Sequence, residues 1–367
     1  MEPVYCLPEL RIGDLLARTC IVQGGMGIGV SLCGLAAAVA NEGGIGVIAT
    51  AGIGMDEPDI EIHPRNATLR ALRREIGQAR ARTSGILGVN IMVALTNYED
   101  VARTSMEEGI DIIFSGAGLP MNLPSYRPAG SRTKLVPIVS SGRAADILSR
   151  RWKERFDYLP DAFVVEGPLA GGHLGFKLEQ IRDPGYALEQ LIPDVLATTS
   201  DLEQKYQRPI PVIAGGGIYT GADILRFLRM GLSGVQMATR FVTTFECDAS
   251  DAFKQEYIRA KESDLVIIQS PVGMPGRAIR NAFLDDVQHG LKKPYRCPFH
   301  CIITCDFKNS PYCIAHALIS ARRGEFAHGF VFAGANAWLA TKIVSVKHVM
   351  DALLEEYRQA VYSGIAP

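Results

Sequence analysis

The stretch DAFVVEGPLAGGHLGF, residues 161–176, opens on an unbroken apolar run, Ala162 to Val165, and ends in an acid, four glycines and one histidine. A run without polar alternation suits a strand covered on both faces, as in a parallel sheet clothed by helices. The glycines that follow let backbone approach something flat or charged, because they carry no side chain and accept left-handed conformations. His173 is the titratable group set between them. Gly171 and Gly172 then bring backbone to a ligand while His173 faces the reacting atom. An isolated histidine is more often structural; here the glycines and the strand-end position favour the reactive reading.

Seven further runs of this kind flank the first: CIVQ (20–23), IGVIAT (45–50), ILGVNIMVA (86–94), DIIFS (111–115), KLVPIVS (134–140), PVIAGGG (211–217) and GVQMATR (234–240). Helical patterns fall between them, through SLCGLAAAVANEG, over about 66–82, over 97–108 with Thr96 as cap, and over 141–151. Eight strand-helix units predict an α/β protein of the closed (β/α)8, or TIM barrel, class, with an open doubly wound sheet as the alternative. The barrel is assigned to residues 1–250. Residues 251–325 read as an accessory or lid region: a helix in DASDAFKQEYIRAKES, a strand followed by a Gly/Pro loop in DLVIIQSPVGMPGRAIRN, and a compact cysteine-bearing segment in CPFHCIITCDFKNSPYC. Residues 326–367 return as a helical segment packing back on the barrel, with Val346, Val349, Met350, Leu353, Leu354 and Tyr357 at helical spacing.

A chain of 367 residues with 47% hydrophobic content buries a large core, and its net charge of −1 gives no reason to expect nucleic acid as a partner. A small-molecule substrate is expected. The N-terminus lacks the basic start and apolar run of a secretory signal, and no span is apolar enough for a membrane helix, so a cytoplasmic protein is expected.

Active sites of such barrels lie on the rim at the strand C-termini. Gly215, Gly216 and Gly217, followed by a helix starting near Thr220, offer bare N–H groups and the positive end of a helix dipole. With Ala238 and Thr239 after the eighth run, Gly216 and Gly217 predict a phosphate site; a tight turn is the alternative reading. QGGMGIGVS (23–31) fails the dinucleotide fingerprint, since Val30 stands at the third glycine position and no acid follows about twenty residues on. Gly24, Gly25 and Met26 read instead as a loop on which a planar ring lies, with the Gln23 amide available to it. Asn90 is either a satisfied core amide or a ligand contact at the strand end. Arg277, Arg280 and Asn281 follow the Gly/Pro loop as a lid or a contact for an anionic substrate, or else as a solvated face.

IVQGGMGIGVS, GVNIMV, VEGPLAGGHLG, PVIAGGGIYTGADI and GVQMATRF, with SPVGMPGRAIRN more weakly, resemble the nitronate monooxygenase (2-nitropropane dioxygenase) family, which includes the FMN-dependent enoyl-acyl-carrier-protein reductases. The resemblance implies a barrel that binds FMN. Gln23, Gly24, Gly25 and Met26 resemble the loop under the flavin ring, and Asn90 the strand residue bonded to it. Glu166, Gly171 and Gly172 fall beside the cofactor; Gly215, Gly216, Gly217, Gln236, Met237, Ala238 and Thr239 resemble the phosphate site, and Gly334 and Asn336 a late flavin-side loop. His173 resembles the catalytic histidine. One position departs: family members commonly carry an acid two residues before the Gly-Gly pair, where this chain has Leu169. Oxidation of a nitronate or related small anion is the activity expected. NAD(P)H-dependent reduction of an enoyl thioester, with acyl carrier protein as partner, is the alternative, and a flavin-binding redox sensor is the non-enzymatic one. A homodimer is compatible with each.

Cys297, Cys301 and Cys305 are spaced by four, so a helical segment would put them on one face, and Cys313 follows. Four thiolates suit a [4Fe-4S] cluster or, less well, zinc, with His300 and Asp306 as substitute ligands. The spacing matches no common ferredoxin or zinc-finger pattern, and four buried thiols are the remaining reading.

Overall fold

The computed structural model describes residues 6–292, 297 and 299–364; residues 1–5, 293–296, 298 and 365–367 lie outside them. Each of the eight apolar runs supplies one parallel strand: β1 (Ile21–Gln23), β2 (Gly46–Ala49), β3 (Leu87–Met92), β4 (Ile112–Gly116), β5 (Lys134–Val139), β6 (Phe163–Glu166), β7 (Val212–Gly215) and β8 (Gly234–Met237). They pair in the order β1-β8-β7-β6-β5-β4-β3-β2. The ends of that order meet through a parallel bridge between Val22 and Ile45, where Gln23 N–H donates to Ile45 O at 2.9 Å and Ile45 N–H to Ile21 O at 2.9 Å. The sheet is therefore a TIM barrel and not an open doubly wound sheet.

The apolar runs are continuous because alternate residues serve two cores. Ala162 and Val164 join Val22, Val47, Phe114 and Ile213 inside the barrel, whereas Phe163 and Val165 pack outward under the helices with Leu135, Ile192 and Val195. A hairpin, Leu10–Ile12 with Leu15–Ala17, plugs the N-terminal mouth, where Gly234 makes room for Leu10.

The helices are α1 (Cys33–Asn41), α2 (Pro64–Arg82), α3 (Tyr98–Glu107), α4 (Gly142–Phe156), α5 (Leu188–Tyr206), α6 (Gly221–Arg229), α7 (Thr239–Val242), α8 (Asp251–Arg259), α9 (Ala282–Gln288), α10 (Ile314–Arg323) and α11 (Val346–Tyr362). Asn97, not Thr96, precedes α3 and makes no side-chain cap; the Thr96 N–H instead donates to Cys301 O at 3.2 Å. The C-terminal helix α11 packs on α6, with Glu356 accepting the Gly221 N–H at 2.8 Å.

The stretch read as a strand and a Gly/Pro loop is a complete hairpin, β9 (Leu265–Gln269) and β10 (Pro275–Ile279), whose loop is only residues 270–274. The far edge of β10 pairs with Gly172–His173 and with β11 (Val331–Phe332). A small antiparallel sheet thus stands over the barrel rim and takes the histidine as one of its strands. The cysteine segment has no helix among its described residues, so the helical condition under which spacing by four would put its thiols on one face is not met.

Helix α1 starts without a capping side chain of its own. Asp248, beyond β8, fills that role by accepting the N–H groups of Leu32 (2.7 Å), Gly34 (3.1 Å) and Leu35 (3.2 Å). Asp248→Ala leaves these buried donors unmet and lowers stability by about 1–3 kcal/mol, read by denaturant unfolding, while Asp248→Asn loses less.

Candidate active site

The strand ends of the barrel and the overlying sheet enclose a cavity of about 300 Å³. Its barrel side is largely bare backbone. Gly24, Gly25 and Met26 after β1, Asn90 in β3, Glu166 ending β6, Gly216 and Gly217 after β7, and Gln236, Ala238 and Thr239 at β8 all line it. Gly171, Gly172, His173, Phe332, Gly334 and Asn336 line it as well, and the Asn336 amide donates to Gly217 O at 2.7 Å.

Glycine is required at several of these positions. A Cβ on Gly25 would fall 2.3 Å from Asn90 Cβ, and one on Gly171 would fall 2.6 Å from the Ala333 and Gly334 backbone. Gly216 sits at φ +97° with Gly167 O only 2.8 Å from where its Cβ would lie. A flat ring and an anion can both meet such walls at backbone distance. Asn90, left open between core amide and ligand contact, is on the cavity.

Three expected residues are behind the wall. Gln23 is fully buried: its Oε1 accepts the Val47 N–H at 2.9 Å and its Nε2 donates to Gly24 O at 2.6 Å, so its amide is committed to the barrel seam rather than to a ring. Gly215 and Met237 are the last residues of β7 and β8 and do not reach the cavity. The expected helix-dipole contribution also fails. The N–H groups of Tyr219 and Thr220 donate to Asp223, and Gly221 to Glu356, so two carboxylates already occupy the start of α6. Gly216, Gly217, Ala238 and Thr239 remain as the cradle.

His173 is held from three sides. Its Nε2 lies 2.7 Å from Ser270 Oγ, its ring meets Phe332 edge-on at 5.0 Å, and its backbone pairs with Gly276. Burial pushes the imidazole down to about 4, so it is neutral at physiological pH. Burial pushes the Glu166 carboxyl the other way, up to about 7. Arg277 is buried rather than exposed as a lid, and its guanidinium donates to Pro168 O at 2.6 Å and Ala170 O at 2.7 Å, which fixes the loop carrying the histidine. Arg280 pairs with Asp285, and Asn281 caps α9. Leu169 is 47% exposed on the cavity wall against Gly217.

Ser270, Phe332, Leu95 and Leu318 were not singled out by sequence, and the last three line the cavity, as does Cys301, which was read only as a metal ligand. They come from segments far apart in the chain and share no spacing. Ser270 alone had a signal, as the first residue of SPVGMPGRAIRN.

The sequence model of the family described as nitronate monooxygenase matches residues 11–356. The chain belongs to the nitronate monooxygenase family. A probable nitronate monooxygenase of Staphylococcus haemolyticus is 26% identical, with 92% of this chain and 94% of that protein aligned. A (3aS,4S,5R,7aS)-5-hydroxy-7a-methyl-1-oxo-octahydro-1H-indene-4-carboxyl-CoA dehydrogenase of Mycobacterium tuberculosis is 28% identical over 74% of this chain and 66% of its own length, just under two thirds. Among solved structures, FabK of Thermotoga maritima is 27% identical, with a TM-score of 0.71 and 95% of both chains covered. Nitroalkane oxidase of Streptomyces ansochromogenes, 21% identical with a TM-score of 0.71 and 95% and 98% coverage, shares the fold. The family is one of oxidoreductases, and this member is an enzyme. No helix among the described residues is long and apolar enough to cross a membrane.

The two shifted groups act on stability in opposite senses. His173, lowered from 6.5 to about 4, contributes stability that is present above 6.5 and lost as pH falls through 4. Glu166, raised from 4.5 to about 7, contributes stability that is present below 4.5 and lost as pH rises through 7. Urea unfolding of the protein is expected to show a shallower acid limb for His173→Gln and a flatter limb above pH 5 for Glu166→Gln. A His173→Gln curve parallel to wild type between pH 6.5 and 4 would contradict a neutral buried imidazole.

Proposed function

We propose that this enzyme binds FMN and oxidises a nitronate or related small anion at the flavin. The observation that carries this reading is His173, anchored by Ser270 on a glycine-lined cavity, in a chain that matches its family over residues 11–356. The walls fit the cofactor. Gly24, Gly25 and Met26 would hold the ring with Asn90 beside it, and Gly216, Gly217, Ala238 and Thr239 would hold the phosphate through backbone N–H groups. Bound flavin supplies the two-electron acceptor.

The protein's own part is positioning. Because Nε2 is engaged by Ser270, Nδ1 is the ring atom left for substrate. When the Ser270 hydroxyl donates to Nε2, Nδ1 carries the proton and donates to a substrate oxygen; when Nε2 donates, Nδ1 can accept a proton instead. The Arg277 clamp keeps this ring over the cavity. Phe332 of β11 and Ile314, Ala315 and Leu318 of α10 give the cavity apolar walls beside it.

A second reading has its own support. Among the described residues, no Lys or Arg lines the cavity, whose wall includes Met55, Met92, Leu95, Leu169, Leu318 and Phe332. An acyl chain also suits that wall, and the likeness to FabK lies in the same direction. Reduction of an enoyl thioester, with NAD(P)H as donor and the thioester on acyl carrier protein or coenzyme A, is the alternative activity.

Mixing the anaerobic holoenzyme with a nitronate or with NADPH separates the two. Bleaching of the flavin by nitronate, with oxygen uptake on aeration, is expected; bleaching by NADPH with turnover of an enoyl thioester would overturn the nitronate reading. His173→Ala is expected to lower kcat/KM by about 10²–10⁴-fold at unchanged flavin content. Arg277→Met should lower kcat by about tenfold through loss of loop position, again with flavin retained.

A further inference from the structure

A second, smaller cavity adjoins the first. Cys297, Cys301, Cys305 and Cys313 all face it, with His300 at its edge and Phe307 and Tyr312 closing it. None of the four thiols is in a disulfide. Cys301, Ile302 and Ile314 line both cavities, so one layer of side chains separates the thiols from the reacting space. Asp306, considered as a substitute ligand, is turned away and accepts from Asn309 at 2.7 Å.

The segment that brings these thiols together has little structure of its own. Among the described residues between α9 and α10 there is no helix, and the segment's only strand pairing is the single bridge between Leu95 and Ile302. It is tied to the barrel rim by that bridge, by the bonds Thr96 N–H to Cys301 O (3.2 Å) and Ile303 N–H to Ala94 O (2.9 Å), and by the Thr304 hydroxyl on Val272 O (2.9 Å). Metal ligation orders such segments, since binding energy becomes folding energy.

We propose that the four thiolates hold an iron–sulfur cluster of the [4Fe-4S] type beside the flavin cavity. The arrangement distinguishes this from zinc. Zn–S bonds near 2.3 Å bring tetrahedral thiolates to roughly 3.7 Å from one another. Among the described residues no three Cys, His, Asp or Glu side chains close on a single ion in that way. A cluster takes one thiolate on each of four irons at the corners of a cube, so its ligands line a space rather than close on one ion, and all four thiols line this cavity. The surrounding Ile302, Phe307, Tyr312 and Ile314 provide the dry shell that such a centre needs.

The test is the metal content of protein purified under strict anaerobiosis, which depends on neither nitronate nor NAD(P)H turnover. About four irons and four acid-labile sulfides per chain are expected, with broad visible absorbance beneath the flavin bands that dithionite bleaches. Cys305→Ser and Cys313→Ser are each expected to lose at least half of the iron while flavin per chain is unchanged. Stoichiometric zinc without sulfide, iron below about one per chain in the wild type, or full iron retention in both variants overturns the proposal. The wild-type analysis decides the matter even where a variant does not fold.

Discussion

The barrel depends on a seam closed by one side chain. Seven of the junctions between neighbouring strands are ladders, whereas β1 and β2 meet at a single bridge. Gln23 completes that junction by taking the Val47 N–H on its carbonyl and giving its own amide hydrogen to Gly24 O. A buried N–H left without a partner costs about 1–3 kcal/mol, so a side chain lacking this amide would open the barrel where it is thinnest. The loop of Gly24, Gly25 and Met26 starts at the next residue, and the wall offered to a ring inherits its position from the seam.

The same dependence explains which parts of the molecule were legible in sequence. All eight strands could be read because each is buried on two faces and therefore apolar without interruption, a pattern that tertiary context cannot disguise. Gly25, Gly171 and Gly216 were placed on the rim from sequence and line the cavity, because closeness of their backbone to its neighbours leaves glycine as the one residue that fits. Gln23 was misread for a physical reason: an amide at a strand end looks the same whether it faces a ligand or mends a ladder, and only the register of Val47 decides. The start of α6 was misread similarly, since Asp223 and Glu356 approach it from four residues and from more than a hundred residues away.

Beyond residue 250 sequence patterns carried less. A strand ending in Gly and Pro does not reveal that the chain turns back and pairs with itself, and Arg277 looks solvated until the carbonyls of Pro168 and Ala170 are found around it. Ser270 and Phe332 meet His173 through long-range contacts that leave no periodic trace. Cys301 was noticed as one of a group, but its place between two cavities comes from its bond with the loop after β3, which no spacing encodes.

The histidine belongs by sequence to the barrel and by hydrogen bonding to the small sheet, where Gly172–His173 forms one strand against β10. The cavity is thus a joint between two surfaces: a floor of strand ends, and a roof to which Phe332 of β11 and Ile314, Ala315 and Leu318 of α10 contribute. Changes to the roof can reshape what arrives at the reacting face without disturbing the floor. Replacement of one roof by another is a route by which a single barrel serves unrelated substrates, and Leu169, at the hinge between the two surfaces, is where such divergence would first be written.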